Sequence, residues 1–315
     1  SDRRGRTDPF EGITMGKIAF VFAGQGDQHA GMGKEFAQNY EAAAAVFRCC
    51  DRLRPETSRQ CFSGSEEELK ETKHTQPCLF AMEMAAYEVL KEKGIRADSM
   101  AGFSLGEVAA AAAAGVFDLE TGFRLVMRRG ALMQEEAENF DTSMAAVLKL
   151  PAETVKRLCG EFSQVYPVNF NGPEQITVSG LSTQMKLLAD AVKREGGRAI
   201  PLKVKAAFHS PFMMEAAAGF QKELEAVEVR LPQTVLYANI SGEPYPKNEA
   251  KIRQLLSAQI AAPVHWEAII RHMIGTGIDT FIEIGPGRTL TNMIKKIDAE
   301  VKAMTAAEAL KEAFA

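Results

Sequence analysis

The stretch that decides the fold is MAGFSLGEVAA at residues 100–110. It contains a G-x-S-x-G element in which Ser104 follows a short apolar run and precedes an alanine-rich segment. A serine at such a strand-to-helix turn occupies a sharp bend that exposes its hydroxyl at the end of a sheet. The two glycines, Gly102 and Gly106, suit the turn because a Cβ there would collide with the neighbouring strand or helix. The pattern predicts a nucleophilic Ser104; a glycine-flanked serine that merely begins a helix is the alternative.

Short apolar runs and helical patterns alternate on both sides of this element. The runs Lys17–Phe22, Thr234–Ile240 and Thr280–Ile284 predict buried strands. Helical spacing runs from about residue 76 to residue 94, with Pro77 expected in the first turn. Further helices are predicted over residues 108–114 and 123–134. Strands that alternate with helices predict an α/β fold with a parallel sheet covered on both faces.

The middle of the chain predicts a second unit, with elements in the order β-α-β-β-α-β that is typical of a ferredoxin-like subdomain. The predicted elements are strands over 144–148, 165–170, 175–179 and 198–204, and helices over 152–160 and 182–195. We therefore expect a small subdomain of residues 141–205, inserted into a large subdomain of residues 15–140 and 206–315. Residues 1–14 are polar and unpatterned, and we expect them to be a leader or a cloning remnant.

Composition narrows the class of protein. A chain of 315 residues with 46% hydrophobic and 25% charged residues is ordinary for a globular protein. A formal net charge of −4 argues against a general nucleic-acid binder, and no apolar run is long enough to span a bilayer. The five cysteines show no metal-binding spacing and the five histidines are dispersed. We expect a cytoplasmic protein with reduced thiols, no metal, no nucleic-acid partner and no membrane partner.

A nucleophilic serine needs a base, and histidine is the usual one. His209 lies in AAFHSPFMM at residues 206–214, where the chain leaves the last strand of the small subdomain and Pro211 begins a helix. The other four histidines are expected at surface or structural positions. From the residues alone, His209 is either the base or a loop histidine, and both readings stay open.

Seven segments together carry a resemblance to a known family. They are FAGQGDQHAGMG (22–33), TQP (75–77), GFSLGE (102–107), RLVMRRGALMQ (124–134), NFNGP (169–173), AFHSPFM (207–213) and EIGPGRTL (283–290). The set resembles malonyl-CoA:acyl carrier protein transacylases and the related acyltransferase domains of polyketide synthases. The resemblance covers nearly the whole chain, from about residue 17 to residue 295, and implies an α/β-hydrolase-like core with an inserted ferredoxin-like subdomain.

The resemblance implies a role for individual residues. Ser104 resembles the acyl-accepting serine and His209 its base. The family has no acidic third member, and a main-chain carbonyl orients the histidine; Gln259 matches the source of that carbonyl. The backbone N–H groups of Gln25 and Leu105 match the oxyanion hole. We expect a substitution of Gln259 to matter less than one of His209, because the implied contact is through the main chain.

Substrate choice is implied by Arg129, which matches the arginine that grips the malonyl carboxylate. A guanidinium can bind a carboxylate through two parallel charge-assisted hydrogen bonds. Without the resemblance, the doublet Arg128-Arg129 would be interpreted as surface arginines. The sequence departs from the family at Phe103, where histidine usually precedes the serine, and in the loop FAGQGDQ, which usually reads FPGQGSQ. Residues 207–210 (AFHS) resemble malonyl-selective members.

The preferred function is therefore transfer of malonyl from malonyl-CoA to the phosphopantetheine thiol of an acyl carrier protein, in fatty acid or polyketide synthesis. We expect a monomer that needs no cofactor, since the CoA thioester is a substrate. A serine hydrolase or thioesterase is the second class, and Arg129 with the Gln25 loop favours transfer over hydrolysis. A carrier-binding protein without catalysis is the third, disfavoured by intact Ser104, His209 and Arg129.

Overall fold

A computed structural model describes residues 16–313, so the expected leader, residues 1–14, lies outside the described residues. The strands are β1 (Lys17–Phe22), β2 (Ser99–Gly102), β3 (Thr142–Leu148), β4 (Val165–Gly172), β5 (Gln175–Leu181), β6 (Arg198–Pro201), β7 (Val235–Leu236), β8 (Ile278–Ile284) and β9 (Lys302–Thr305). The helices are α1 (Lys34–Asn39), α2 (Glu41–Leu53), α3 (Thr57–Ser63), α4 (Glu66–Lys70), α5 (Thr72–Glu92), α6 (Leu105–Ala113), α7 (Leu119–Ala137), α8 (Ala152–Gly160), α9 (Ser182–Arg194), α10 (Met214–Glu225), α11 (Glu249–Ala258), α12 (Trp266–Gly275), α13 (Thr289–Ile297) and α14 (Ala306–Ala313). Within this described range, no helix is long and apolar enough to cross a membrane.

The larger sheet has the strand order β7-β2-β1-β8-β9, and every pairing in it is parallel. Its central strand β1 is apolar throughout most of its length because it is covered on both faces. Phe20 and Phe22 pack into one core with residues of α5 and α6, while Ala19 and Val21 pack into the other beside Trp266 of α12. The predicted parallel sheet with two covered faces is confirmed.

The smaller sheet has the order β4-β5-β3-β6, and all its pairings are antiparallel. Helices α8 and α9 pack on it around Val147, Val155, Val178 and Leu188. The element order β-α-β-β-α-β and this strand order are those of the predicted ferredoxin-like unit. Its strands lie between residues 142 and 201. The subdomain boundaries given above stay a prediction.

Helix α5 begins earlier than predicted. It starts at Thr72, so Pro77 lies inside the helix and not in its first turn. A proline inside a helix removes one backbone hydrogen bond. Side chains anchor the first turn here: the Thr75 hydroxyl donates to the carbonyl of Leu69 at 2.5 Å, and the N–H of Lys73 donates to the Gln134 side chain at 3.0 Å. These contacts let the helix begin before the proline.

Strand β7 is shorter than the predicted run of residues 234–240. Only Val235 and Leu236 pair with β2. The chain then turns back, and Ala238 donates to the carbonyl of Glu243 at 2.9 Å. The N–H of Asn239 is bound by the carboxylate of Glu107 at 3.1 Å. This part of the apolar run therefore leaves the sheet to build the end of the site described next.

Candidate active site

Ser104 lies at the bend between β2 and α6, with φ of 54° and ψ of −109°. A positive φ is uncommon for a residue with a Cβ, and such strain persists only when the surroundings impose it. The tight packing of the bend, which the flanking glycines permit, surrounds the residue here. A Cβ on Gly102 would lie 1.8 Å from the carbonyl oxygen of Gly106, and one on Gly106 would lie 2.2 Å from the carbonyl oxygen of Phe22. Strand and helix therefore approach each other too closely for any larger residue.

The His209 ring bridges the serine and a main-chain carbonyl. Its Nε2 lies 2.8 Å from the Ser104 Oγ, and its Nδ1 lies 2.7 Å from the carbonyl oxygen of Gln259. Since a carbonyl only accepts, Nδ1 carries the proton and Nε2 is free to accept from the serine hydroxyl. The residue is buried and also has a positive φ, 61°. The two residues of the serine–histidine pair are thus both held in strained backbone conformations.

Burial, followed by the positive charge of Arg129, lowers the pKa of His209 from its ordinary 6.5 to about 4. The ring is therefore neutral near pH 7, the form that a general base requires. The carbonyl of Gln259 opposes this shift because it stabilises the protonated ring.

Arg129 is fully buried, which excludes the surface position that the doublet alone would suggest. It projects from α7 and donates to Gln76 Oε1 at 2.9 Å, to Gln259 Oε1 at 2.7 Å and to the Ser104 Oγ at 3.4 Å. These three partners are neutral, and the Arg129 Nε is buried without a hydrogen-bond partner among the described residues. Burial lowers the pKa of Arg129 to about 10, so the guanidinium remains charged at neutral pH. A buried cation that lies next to a serine hydroxyl and has only neutral hydrogen-bond partners is suited to an anionic ligand.

Gln259 contacts the site through its side chain as well as its main chain. Its Nε2 donates to the carbonyl of Ser104 at 3.0 Å and to Glu107 Oε2 at 2.7 Å, while its Oε1 accepts from Arg129. The expectation that a substitution at Gln259 has a smaller effect considered only the main-chain carbonyl. The side-chain contacts reach the serine, the arginine and a buried acid.

That buried acid, Glu107, is a residue whose position the sequence analysis did not use. Its Oε1 accepts from the hydroxyl of Tyr245 and the N–H of Asn239, and its Oε2 accepts from Gln259. Asn239 in turn accepts from the N–H of Ser104 at 2.8 Å and donates to the carbonyl of Gly102 at 2.6 Å. Glu107 was visible in the quoted segment GFSLGE, but its partners lie more than 130 residues away in the chain.

The two expected oxyanion donors lie on two segments that approach each other, the bend that carries Ser104 and the loop after β1. Leu105 is the first residue of α6, and N–H groups in the first turn of a helix have no partner within the helix. Gln25 belongs to the loop after β1, and a Cβ on Gly24 would lie 2.8 Å from the carbonyl oxygen of Phe103. This close approach brings the Gln25 loop against the turn that carries the serine. Gln25 Oε1 also accepts from Gln76 at 3.3 Å.

Phe103, where the family usually has histidine, is half-buried. Its ring packs edge-on against Trp266 with 5.4 Å between ring centroids.

Two of the other histidines contact aromatic side chains: His265 stacks on Phe170, and His272 forms a hydrogen bond with the hydroxyl of Tyr237. Within residues 16–313, no group of three or more His, Cys, Asp or Glu side chains is arranged to hold a metal ion.

Comparisons with known proteins place the chain in a family. A family model for the acyl transferase domain matches residues 19–312. A malonyl CoA-acyl carrier protein transacylase of Bacillus subtilis is 36% identical over 300 residues, which cover 93% of this chain and 94% of that protein. The crystal structure of a malonyl CoA-acyl carrier protein transacylase from Clostridium perfringens superimposes with a TM-score of 0.90 at 34% identity, covering 95% of this chain and 97% of the other. A malonyl-transacylase in complex with its type II polyketide acyl-carrier protein also superimposes with a TM-score of 0.90 at 34% identity, covering 94% and 99%.

Proposed function

Because the chain belongs to the malonyl CoA–acyl carrier protein transacylases of the acyl transferase family, we propose that Ser104 carries the malonyl group as an ester during transfer. The protein is an acyltransferase that moves malonyl from malonyl-CoA to an acyl carrier protein in fatty acid or polyketide synthesis. The observation that supports Ser104 and His209 as the reacting pair is the 2.8 Å contact between the Ser104 Oγ and the His209 Nε2.

In the first half-reaction, Ser104 attacks the thioester carbonyl of malonyl-CoA. The new bond joins the Oγ to the carbonyl carbon, and the hydroxyl proton passes to the neutral His209 Nε2. The negative charge on the carbonyl oxygen is stabilised by the backbone N–H groups of Leu105 and Gln25. The carbon–sulfur bond then breaks, and the CoA sulfur leaves as a thiol with the proton from His209. The product is a malonyl ester on Ser104.

In the second half-reaction, the phosphopantetheine thiol of the carrier protein takes the place of CoA. The neutral His209 accepts the thiol proton as the sulfur attacks the ester carbonyl. The bond to the Ser104 Oγ breaks, and the proton on His209 returns to the serine. Both half-reactions use the same tautomer, which the Gln259 carbonyl maintains by accepting from Nδ1 at 2.7 Å.

Arg129 is proposed to bind the malonyl carboxylate. It is the buried cation next to the nucleophile, its partners are neutral, and its Nε lacks one. A carboxylate would accept hydrogen bonds from the Arg129 guanidinium and compensate its positive charge. An acetyl group has no carboxylate and would do neither.

The proposal also covers the cofactor requirement, the cellular location and the oligomeric state of the enzyme. Thioester exchange moves an acyl group and protons only, so we propose that no cofactor takes part. The five cysteines are all free and buried, which supports a reducing location such as the cytoplasm. We also propose that the enzyme acts as a monomer, because the residues assigned to the chemistry all come from one chain.

Intact-protein mass spectrometry tests the central assignment. A brief incubation with malonyl-CoA should add one malonyl group to the wild-type protein, and the addition should be absent from Ser104→Ala. Carrier protein added next should remove the group and gain it. An adduct that survives the Ser104→Ala substitution would exclude Ser104 as the nucleophile, and release as free malonate at the same rate with and without carrier would favour a hydrolase.

A further inference from the structure

We infer that Glu107 is a positioning residue: it fixes the side-chain amide of Gln259 so that the amide oxygen faces Arg129, and so prepares the arginine to select a carboxylate. The inference rests on the proposed function of the site. It assigns Glu107 a part in substrate selection, although Glu107 contacts neither Ser104 nor His209 directly.

Glu107 acts as a hydrogen-bond acceptor at both carboxylate oxygens. The side chain is fully buried, and its described partners are all donors: the Tyr245 hydroxyl, the Asn239 N–H and the Gln259 amide nitrogen. A carboxylate accepts at both oxygens and offers no hydrogen, so this set of partners fits the ionised form. Burial opposes it by raising the pKa of Glu107 to about 7, and the three hydrogen bonds act in the other direction.

The orientation of the Gln259 amide is determined by its neighbours. Its nitrogen faces two acceptors, Glu107 Oε2 at 2.7 Å and the Ser104 carbonyl at 3.0 Å, and its oxygen faces the Arg129 guanidinium at 2.7 Å. A flipped amide would place an NH₂ group against the guanidinium and an oxygen against the carboxylate. Both contacts would be repulsive, so Glu107 and Arg129 allow one orientation only.

Glu107 is connected to both sides of Ser104 through hydrogen bonds. On one side, Glu107 binds Gln259, which contacts Arg129. On the other side, Glu107 accepts from the backbone N–H of Asn239, and the side-chain amide of Asn239 binds the Ser104 N–H and the Gly102 carbonyl. The Asn239 contact depends only on an acceptor at Oε1, which glutamine also supplies. The Gln259 contact depends on an acceptor at Oε2, which glutamine cannot supply at the same time. Glu107→Gln therefore disrupts the contact with Gln259 and retains the contact with Asn239.

In Glu107→Gln, the new amide oxygen is retained by Tyr245 and Asn239, so its NH₂ group meets the NH₂ group of Gln259. Gln259 must then rotate and present a donor to Arg129, which loses its 2.7 Å hydrogen bond; the Ser104 carbonyl, which takes no part in the selection of malonyl, loses its 3.0 Å hydrogen bond at the same time. We expect kcat/KM for malonyl-CoA to fall about 10- to 100-fold, the usual effect of losing a charge-assisted hydrogen bond or two. The value for acetyl-CoA should change by less than about threefold, because acetyl does not use Arg129.

The measurement is kcat/KM for both thioesters at pH 8, where Glu107 is ionised, together with the thermal midpoint. Glu83→Gln is the matched control: Glu83 is equally buried on α5, and neither of its oxygens has a hydrogen-bond partner among the described residues. Its ratio of malonyl to acetyl kcat/KM should equal that of the wild type. Gln259→Ala is the second variant if Glu107→Gln does not fold. It keeps the main-chain carbonyl for His209, removes the amide and should lower the same ratio at least tenfold.

A selective loss for malonyl in Glu107→Gln, with an unchanged ratio in Glu83→Gln, supports the inference. An unchanged ratio in Glu107→Gln overturns it, even if Gln259→Ala loses selectivity, and so do equal losses for both thioesters. If Glu107→Gln does not fold, an unchanged ratio in Gln259→Ala overturns the inference, because the amide that Glu107 is inferred to fix would then have no part in selection. The wild-type protein distinguishes this failure from failure of the proposed function. If wild-type Ser104 gains no malonyl group, the proposed function is wrong and the inference falls with it.

Discussion

Removal of the buried guanidinium should change the substrate preference of the enzyme. Arg129→Ala should lower kcat/KM for malonyl-CoA by about 10²- to 10³-fold and leave kcat/KM for acetyl-CoA within about threefold of wild type. The reason is that only malonyl has a carboxylate to place against Arg129. Acetyl leaves the charge without an anionic partner in the wild type, so it loses little when the charge is removed.

The magnitude follows from the contacts of Arg129. A carboxylate bound by the guanidinium gains two charge-assisted hydrogen bonds, each contributing about 1.5–3 kcal/mol. The lower end applies here, since Gln76 and Gln259 already occupy two of the N–H groups. The total is about 3–4 kcal/mol, and about 1.4 kcal/mol corresponds to a factor of ten. This sum gives the 10²- to 10³-fold effect.

Removal of Arg129 also leaves the side-chain oxygens of Gln76 and Gln259 without a donor, so a change in thermal midpoint must be measured beside the kinetics. Arg128→Ala is the control, because Arg128 is exposed and pairs with Glu223 at 2.9 Å, a surface contact of little energetic consequence. Arg129→Lys retains the charge without the two-pronged geometry and should fall between wild type and alanine for malonyl. Equal losses for malonyl and acetyl in Arg129→Ala would refute the reasoning and assign Arg129 a purely structural role.

Two further predictions concern the base and the bend. The rate at which phenylmethylsulfonyl fluoride modifies Ser104 should keep its plateau below pH 6.5 and decline only towards pH 4, because the lowered pKa keeps His209 neutral over that range. An inflection near 6.5 would contradict this, and His209→Ala should slow the modification by about 10²- to 10⁴-fold. Gly102→Ala should destabilise the protein by about 3 kcal/mol or more, since its Cβ would lie 1.8 Å from the Gly106 carbonyl oxygen. Gly160→Ala, whose Cβ would meet nothing within 4 Å, is the matched control, and equal thermal midpoints for the two variants would count against the packing argument.

The features predicted from sequence are those with a local signature. Strand β1 and helix α8 have the predicted bounds, and the bend at Ser104 follows from two glycines and an apolar run. The position of His209 beside the serine could not be derived from the residues alone, because the two lie 105 positions apart. That pairing was implied by the family resemblance, and the roles of the two residues stay a proposal.

The features missed depend on contacts that no local pattern encodes. The apolar run of residues 234–240 has the composition of a strand. Its Asn239 N–H, however, donates to the Glu107 carboxylate and not to a carbonyl of the adjacent strand. Pro77 indicates a helix start, but an earlier start is stabilised by the Gln134 side chain, which accepts from the Lys73 N–H, and by the Thr75 hydroxyl, which donates to the Leu69 carbonyl. The contact between Asn239 and Glu107 spans 132 residues and that between Lys73 and Gln134 spans 61, so no local pattern indicates either of them.

The indirect link between Glu107 and Arg129 has a chemical consequence. If Glu107 contacted the guanidinium itself, it would occupy the N–H groups that a substrate carboxylate needs, and the pair would be neutral before substrate arrived. With the Gln259 amide between them, the negative charge stabilises Arg129 at a distance while the nearest partners remain neutral. A buried cation without any counter-charge would be too costly to keep ionised, and one with a direct counter-charge would not discriminate between acyl groups. The Gln259 amide between Glu107 and Arg129 satisfies both requirements, and the same glutamine accepts from His209 Nδ1 through its main-chain carbonyl.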